Sequence, residues 1–264
     1  MSAAAHTSAI EPIIREKLSE KPILLMAHLV LGYPSIEENK KVIAQMVDAG
    51  VDLIELQIPF SEPIADGPVI AQANQAAIDA GFRVDAGLEA IAEITLTHDI
   101  PFLIMTYVNI LHARGMGQFI SDAAKAGVKG LIVPDLPLQE AGEAIAWSRE
   151  AGLDWIQLMT PTSHDDRLAA IGAEADGFVY CVARRGVTGK NTSFDDSVGA
   201  FVTRCRAATK APLAVGFGVK NAEDVAYLQG KAEIAVVGTA AIAAHREGGA
   251  EAVGRFFRGL RPAD

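Results

Sequence analysis

Eight short apolar runs alternate with helix-like segments along the chain, and this alternation limits the possible folds more than any other feature. The segments between the runs carry apolar residues at helical spacing, and several end at a glycine, as helices commonly do. Strands alternating with helices favour a parallel sheet, and near-continuous apolar strands indicate a sheet covered on both faces. The runs are residues 23–32, 52–58, 102–108, 130–135, 155–161, 177–183, 213–219 and 234–240.

Eight such units in 264 residues predict an α/β fold of the (β/α)₈ TIM-barrel type. A doubly wound open sheet is the alternative. No linker or break in composition divides the chain, so we expect one domain over residues 1–264, with a tail and an extra helix within residues 1–21. The helical pattern at 8–20 is placed to cover the bottom of the barrel.

The chain is acidic, with a net charge of −10 and a pI of about 5.1, which argues against a nucleic-acid partner. Its two cysteines, Cys181 and Cys205, have no metal-binding spacing and indicate a reducing compartment. The first residues lack the apolar core of a signal peptide, and no apolar stretch reaches the roughly 18 residues that a membrane span needs. These features predict a cytoplasmic protein.

The stretch "IELQIPFSEPIADGP" (54–68) places an acid inside an apolar strand. Because side chains alternate along a strand, Glu55 and Gln57 are expected to point into the barrel, while the aliphatic residues between them pack against helices. A buried acid suggests either a structural ion pair or an active site, and no lysine or arginine lies in the eight runs to pair with it. We therefore favour a functional Glu55, and expect Glu62 on an exposed face of the loop.

Further candidate features follow the runs, at the carboxyl ends of the predicted strands. The loops after the second and sixth runs are long, and the glycine-rich exits of the seventh and eighth runs are typical of backbone phosphate sites. His28 has no second ligand at metal spacing, so no metal is expected. No strand carries a lysine for a Schiff base, and Cys181 is expected to be a buried packing residue.

Six stretches, in order and covering nearly the whole chain, resemble the tryptophan synthase alpha subunit family. They are "DLIELQIPFSEPIADGPVIAQANQAAIDAG" (52–81), "LIMTYVNI" (103–110), "LIVPDLP" (131–137), "RRGVTG" (184–189), "VGFGVKNAEDV" (215–225) and "VVGTAAI" (236–242). The resemblance implies a (β/α)₈ barrel that cleaves indole-3-glycerol phosphate to indole and glyceraldehyde 3-phosphate without a cofactor. It also implies a pyridoxal-phosphate beta subunit as partner, in an alpha2beta2 tetramer that makes tryptophan.

Carried over position by position, the resemblance implies that Glu55 is the general acid and base and that Asp66 is a second carboxylate. It implies substrate-binding roles for Tyr107, Tyr180, Thr188, Gly189, Phe217, Gly218, Gly238 and Thr239. The expected partner surface comprises the loops 59–68 and 107–114 with residues 134–137. The loop 184–196, rich in Gly, Thr, Ser and Asn, is expected to be mobile in the free chain.

The implied reaction explains why two acids are needed. Breaking the bond between indole C3 and the glycerol chain requires a proton at C3 and a base for the hydroxyl that becomes the aldehyde. One buried carboxyl can serve both steps, because burial disfavours its charged form. A second carboxylate can accept the indole N–H and stabilise the positive charge that develops on that nitrogen.

Some positions depart from the family pattern. The family usually has Gly at Gln57, Asp at Glu62, Ser at Thr239 and Asp at Tyr33, and commonly has an indole-contacting Phe at His28. Two other functions therefore stay open: a divergent barrel aldolase acting on another phosphorylated substrate, and a mainly activating, non-catalytic partner of a beta subunit. Loss of Glu55 or Asp66 would favour the second of these, and both acids are present.

Overall fold

Eight parallel strands close into a barrel in the computed structural model, which describes residues 6–183, 196–216 and 218–261. Each strand pairs with the next in the chain, and the first also pairs with the last, with Leu24 opposite Ile234. The predicted (β/α)₈ barrel is confirmed, and the open-sheet alternative is wrong; the assignment of residues 1–264 to a single domain stays a prediction. The strands are β1 (Leu24–Val30), β2 (Leu53–Gln57), β3 (Phe102–Met105), β4 (Gly130–Ile132), β5 (Asp154–Met159), β6 (Val179–Val182), β7 (Leu213–Gly216) and β8 (Ile234–Val237).

Helices surround the barrel, and two of them lie between β2 and β3. The helices are α1 (Glu11–Leu18), α2 (Ile36–Asp48), α3 (Pro68–Asp79), α4 (Val84–Thr97), α5 (Val108–Arg114), α6 (Met116–Lys125), α7 (Gly142–Glu150), α8 (Asp165–Ala173), α9 (Asp196–Ala208), α10 (Ala222–Leu228) and α11 (Thr239–Gly259). The expected loop at 107–114 is wrong, since α5 occupies most of it. Within the described ranges, no helix is long and apolar enough to cross a membrane.

Local sequence explains where several helices begin and end. Ser35 caps α2 by accepting a hydrogen bond from the backbone N–H of Glu38 at 3.2 Å, and Asn221 caps α10 by accepting one from Asp224 at 2.9 Å. Polar side chains of this kind satisfy N–H groups that the first helical turn leaves free. Gly50, with a φ of 81°, follows α2 and lets the chain turn back towards β2.

The alternation of side chains on β2 sorts its residues into two layers, as predicted. Leu53 belongs to the cluster inside the barrel, whereas Ile54 and Leu56 pack into the larger cluster between barrel and helices. Glu55 and Gln57 share the inner face with Leu53 and are buried, at 3% and 0% exposure. The strand therefore carries a carboxyl and an amide to the barrel interior.

The amino-terminal segment closes the bottom of the barrel, as predicted. Ile10 and Ile14 are fully buried in the inner cluster. The Asp154 carboxylate at the start of β5 holds the segment through four hydrogen bonds. Its donors are His6 Nε2 at 2.9 Å, Ser8 Oγ at 2.7 Å, and the backbone N–H groups of Ala9 at 3.1 Å and Ile10 at 2.9 Å.

Candidate active site

A cavity of about 730 Å³ opens at the carboxyl ends of the strands, the end at which barrel enzymes carry their chemistry. Apolar side chains form much of its wall, among them Met105, Ile132, Leu158 and Val236. Most of the predicted site residues line the same cavity: Glu55, Asp66, Tyr180, Gly218, Gly238 and Thr239. A mostly apolar cavity with a few polar groups is the usual form of a small-molecule site.

Glu55 meets a partner that the sequence analysis did not connect with it. The register of β1 and β2 places His28 opposite Glu55, with His28 Nδ1 3.3 Å from Glu55 Oε1. Both side chains are buried and line the cavity. Burial alone lowers the pKa of His28, but the nearby Glu55 and Asp66 carboxyls outweigh it, so that this pKa is raised overall.

Asp66 lies in the turn before α3 and is held through one of its oxygens. Oδ2 accepts hydrogen bonds from Gln57 Nε2 at 2.6 Å, the Tyr107 hydroxyl at 3.1 Å and Asn74 Nδ2 at 3.4 Å. Burial raises the pKa of Asp66, while His28, Gln57 and Tyr107 each act in the opposite direction. These contacts orient the carboxylate on a loop that could otherwise present it in many directions.

The two predicted tyrosines have different positions. Tyr107 is fully buried behind Asp66, where its hydroxyl accepts a hydrogen bond from the backbone N–H of Ala65 at 3.2 Å and its ring stacks on Phe60 at 5.1 Å. Tyr180 lies in the cavity wall. Burial raises the pKa of both phenols, so both are neutral hydroxyls at physiological pH. Tyr107 therefore supports the loop of Asp66 rather than lining the cavity directly.

The part of the cavity wall formed after β7 and β8 has the features of an anion site. Gly218, Gly238 and Thr239 line it, and α11 begins at Thr239, so that its free N–H groups start there. Lys220, which the sequence analysis did not single out, adds a positive charge to the same wall. The cavity therefore has two carboxyls in one region and anion-binding groups in another.

Three predicted residues, Thr188, Gly189 and Phe217, lie outside the described residues. Glu62 is exposed, as predicted. Tyr33 packs beside α11, where its hydroxyl accepts a hydrogen bond from Arg246 Nε at 3.0 Å. Asn74 was not anticipated; it follows Asp66 by eight residues, a spacing that places it on the first turns of α3, facing back towards the loop.

This arrangement suits acid–base chemistry on a phosphorylated molecule. Glu55 can give and take a proton, and the α11 end can hold an anion. Asp66 Oδ1 accepts no hydrogen bond from the described residues, so this oxygen can accept one from a donor on the ligand. The apolar side chains of the same cavity fit a flat aromatic group.

Comparison with known proteins identifies a family and several similar relatives. The family model "Tryptophan synthase alpha chain" matches residues 14–254. The tryptophan synthase alpha chain of Desulfotalea psychrophila is 50% identical over 252 residues, covering 96% of this chain and 99% of the relative. That of Desulforapulum autotrophicum is 49% identical over 251 residues, covering 95% and 99%.

Solved structures agree with the sequence comparison. A structure of Mycobacterium tuberculosis tryptophan synthase superposes with a TM-score of 0.90 at 33% identity, covering 96% of this chain and 97% of that one. The tryptophan synthase a2b2 complex from Pyrococcus furiosus superposes with a TM-score of 0.84 at 32% identity, covering 90% and 97%.

Proposed function

The chain belongs to the tryptophan synthase alpha chain family, whose members are lyases that cleave indole-3-glycerol phosphate, and we propose that Glu55 and Asp66 carry this reaction in the cavity. The observation that supports these roles is the pair of buried carboxyls facing one cavity that also has an anion-binding end. Neither the divergent aldolase nor the non-catalytic partner is favoured by any particular observation.

In the proposed reaction, the indole ring lies against the apolar wall and its N–H donates to Asp66. Glu55 delivers a proton to C3, and Asp66 stabilises the positive charge that spreads to the indole nitrogen. The bond between C3 and the glycerol carbon then breaks, its electrons return to the ring, and Glu55 takes the proton of the hydroxyl that becomes the aldehyde. Indole and glyceraldehyde 3-phosphate leave.

The phosphate of the substrate is proposed to lie at the amino end of α11. Gly218, Gly238 and Thr239 expose backbone groups there, and the helix dipole favours an anion. Binding both ends of the substrate fixes the scissile bond between them, and such positioning is a major part of enzymatic rate enhancement.

The direct test is to incubate the purified chain with indole-3-glycerol phosphate and measure both products. We expect indole and glyceraldehyde 3-phosphate in equal amounts, without added metal or cofactor. A folded chain that releases neither product, even with a beta chain from the same organism, would refute the proposal.

We also propose a beta subunit as partner, in an alpha2beta2 assembly. The solved complex from Pyrococcus furiosus supports it, and so does an exposed apolar residue at the mouth, Ile64, which is 67% exposed in the loop that carries Asp66. Nearby, Asp135 accepts a hydrogen bond from the backbone N–H of Val108 at 2.9 Å, so residues 134–137 and the start of α5 form one supported surface.

The partner proposal predicts that the cognate beta chain raises indole release at least about tenfold, because a partner that binds the competent state increases its population. Ile64→Asp should weaken binding of the beta chain. Leu96→Asp, which changes another exposed apolar residue at 89% exposure, should not. Equal affinity of both variants would contradict this surface.

The cytoplasmic location also stays a proposal; it fits two buried cysteines that form no disulfide.

A further inference from the structure

His28 and Glu55 form a buried pair, and the proposed reaction gives a role to Glu55 but none to His28. His28 is 6% exposed and Glu55 is 3% exposed, and their facing atoms, Nδ1 and Oε1, are 3.3 Å apart. The outer atoms of the pair, His28 Nε2 and Glu55 Oε2, have no hydrogen-bond partner in the part of the chain that the structure describes. Both residues line the cavity, and the two unpartnered atoms are buried beside it.

The surroundings of His28 favour a shared proton. Glu55 from β2 and Asp66 from the following loop are the acids that act on the imidazole, and the Gln57 amide lies on the same side. On the β8 side the ring approaches Gly238, and Ile70 of α3 lies nearby, so neither element brings a charged side chain there. Two acids beside one imidazole favour keeping a proton on the pair.

We propose that His28 and Glu55 hold one proton between them, and that His28 is a positioning residue that orients Glu55 and keeps it supplied with that proton. This inference rests on the proposed function. Two bases that interact this closely titrate as a pair, so the pair rather than either residue is the acid that the reaction uses.

The pair holds the same number of protons before and after one reaction. The single proton of the pair first passes from His28 Nδ1 to Glu55 Oε1, and Glu55 then delivers this same proton to indole C3, which leaves the pair without a proton. When the carbon–carbon bond breaks, its electron pair returns to the indole ring and the hydroxyl proton of the glycerol part passes to Glu55. The pair then holds one proton again and needs no exchange with water.

The test compares kcat and KM for indole-3-glycerol phosphate cleavage from about pH 5 to about pH 9 in the wild type, His28→Phe and His28→Gln. Phenylalanine keeps the ring volume but holds no proton. We expect the loss of kcat at high pH to begin at least about one pH unit lower in His28→Phe, because this variant removes the imidazole that helps the pair retain its proton. KM should change less than kcat.

His28→Gln separates orientation from proton supply. Its amide can donate a hydrogen bond to Glu55 but cannot give up a proton, so we expect it to recover part of kcat at low pH while keeping the high-pH limb of His28→Phe. A glutamine variant with the wild-type pH profile, or a phenylalanine variant with an unshifted limb, would overturn the proposal.

A second measurement does not depend on catalysis. In ¹⁵N-histidine spectra, the His28 signal is identified by its absence in His28→Phe. We expect it to titrate at least about one pH unit lower in Glu55→Gln than in the wild type. An unchanged titration would overturn the proton sharing. A wild-type chain that fails to release indole would instead count against the proposed function, whatever this titration shows.

Discussion

Glu55 is an acid within an apolar strand, and its carboxyl is the group on which the proposed reaction depends most. Glu55→Gln keeps the size and a hydrogen-bonding group but removes the acid, so we predict a loss of activity of roughly 10²–10⁴-fold. Circular dichroism and thermal unfolding should show an intact barrel. Glu62→Gln, an exposed change in the adjacent loop, serves as control and should be fully active. Substantial turnover by folded Glu55→Gln would remove Glu55 from its role.

Asp66 and Gln57 give a prediction with a definite pH direction. Burial raises the pKa of Asp66 and the Gln57 donor opposes this, so removing that donor in Gln57→Met raises the pKa further. In the proposed reaction Asp66 must be ionised to stabilise the indole nitrogen, so we expect activity to be lost as the pH falls through this pKa. The acid limb of kcat/KM should move to higher pH in Gln57→Met.

The matched control for that change is Gln75→Met on the exposed side of α3, where Gln75 donates to Asp79 instead. Its acid limb should coincide with that of the wild type. If Gln57→Met behaves like this control, Gln57 does not set the charge of Asp66.

At the level of single residues, the sequence indicated which acids face the cavity but not what holds them. The inward position of Glu55 follows from the alternation of side chains along β2. The contact between His28 and Glu55 depends on the register between β1 and β2, which neither strand specifies alone. The bond from Gln57 to Asp66 depends on how the loop folds back over the strand.

At the level of elements, the loop after β7 and the start of α11 together form the proposed anion site. Lys220 contributes a charge to that wall without being buried. We predict that Lys220→Ala raises KM by about tenfold with kcat nearly unchanged, since a hydrogen bond to a charged group contributes about 1.5–3 kcal/mol when well formed and less at an exposed site. Steady-state kinetics at two salt concentrations would measure it, and the effect should shrink at high salt.

Lys231→Ala is the control for that charge. Lys231 precedes β8 at the other end of the strand, where its Nζ donates to the Tyr227 carbonyl at 2.6 Å. Lys231→Ala also removes one positive charge, but at a position away from the cavity, so it should leave KM unchanged. Equal effects of both variants would point to the overall charge of the molecule rather than to a local contact.

Gly216, the last residue of β7, leaves room for Tyr180. A Cβ at this position would lie 2.5 Å from both Cε1 and the hydroxyl oxygen of the Tyr180 ring. Gly216→Ala must therefore displace the ring, and we predict a destabilisation of about 1–3 kcal/mol together with a fall in kcat/KM. Gly142→Ala, where a Cβ meets nothing within 4 Å, should change neither thermal unfolding nor activity.

The order of strands and helices could be predicted where the spacing of apolar residues along the sequence is clearly periodic. Seven of the eight strands lie within the predicted apolar runs, and β5 begins one residue earlier, at Asp154. Every strand is shorter than its run, and β4 spans only Gly130–Ile132 of the run 130–135. Strand length is set by pairing with neighbours, which a single segment does not reveal. The helix α5 was missed because a seven-residue helix spans too few turns to show a clear apolar period.

At the scale of the whole molecule, the contacts that anchor the amino-terminal segment lie at one end of the barrel and the proposed active site lies at the other. Asp154→Ala would remove the acceptor of the Ala9 N–H and would leave the buried N–H of Ile10 only the longer bond to Ser8 Oγ, at 3.2 Å, so we predict that the free energy of unfolding falls by about 3 kcal/mol. The variant should keep the wild-type kcat, because the change lies far from the cavity. Chemical denaturation and steady-state kinetics would measure the two quantities.

Asp166→Ala is a suitable control, because Asp166 is an exposed aspartate at the start of α8. Its effect on unfolding should stay within about 0.5 kcal/mol. If Asp154→Ala is as stable as this control, the amino-terminal segment does not need its carboxylate anchor.

The anchoring of the amino-terminal segment also has a consequence for the chain during its synthesis. Ile10 leaves the ribosome early, but the carboxylate that holds its backbone lies 144 residues later. Until β5 has been made, Ile10 and Ile14 have no barrel floor to cover, and a product that ends before Asp154 keeps both exposed. Chaperones and proteases act on exposed apolar surface of this kind. We therefore expect them to recognise a chain truncated before Asp154 through its amino-terminal segment, which is synthesised first.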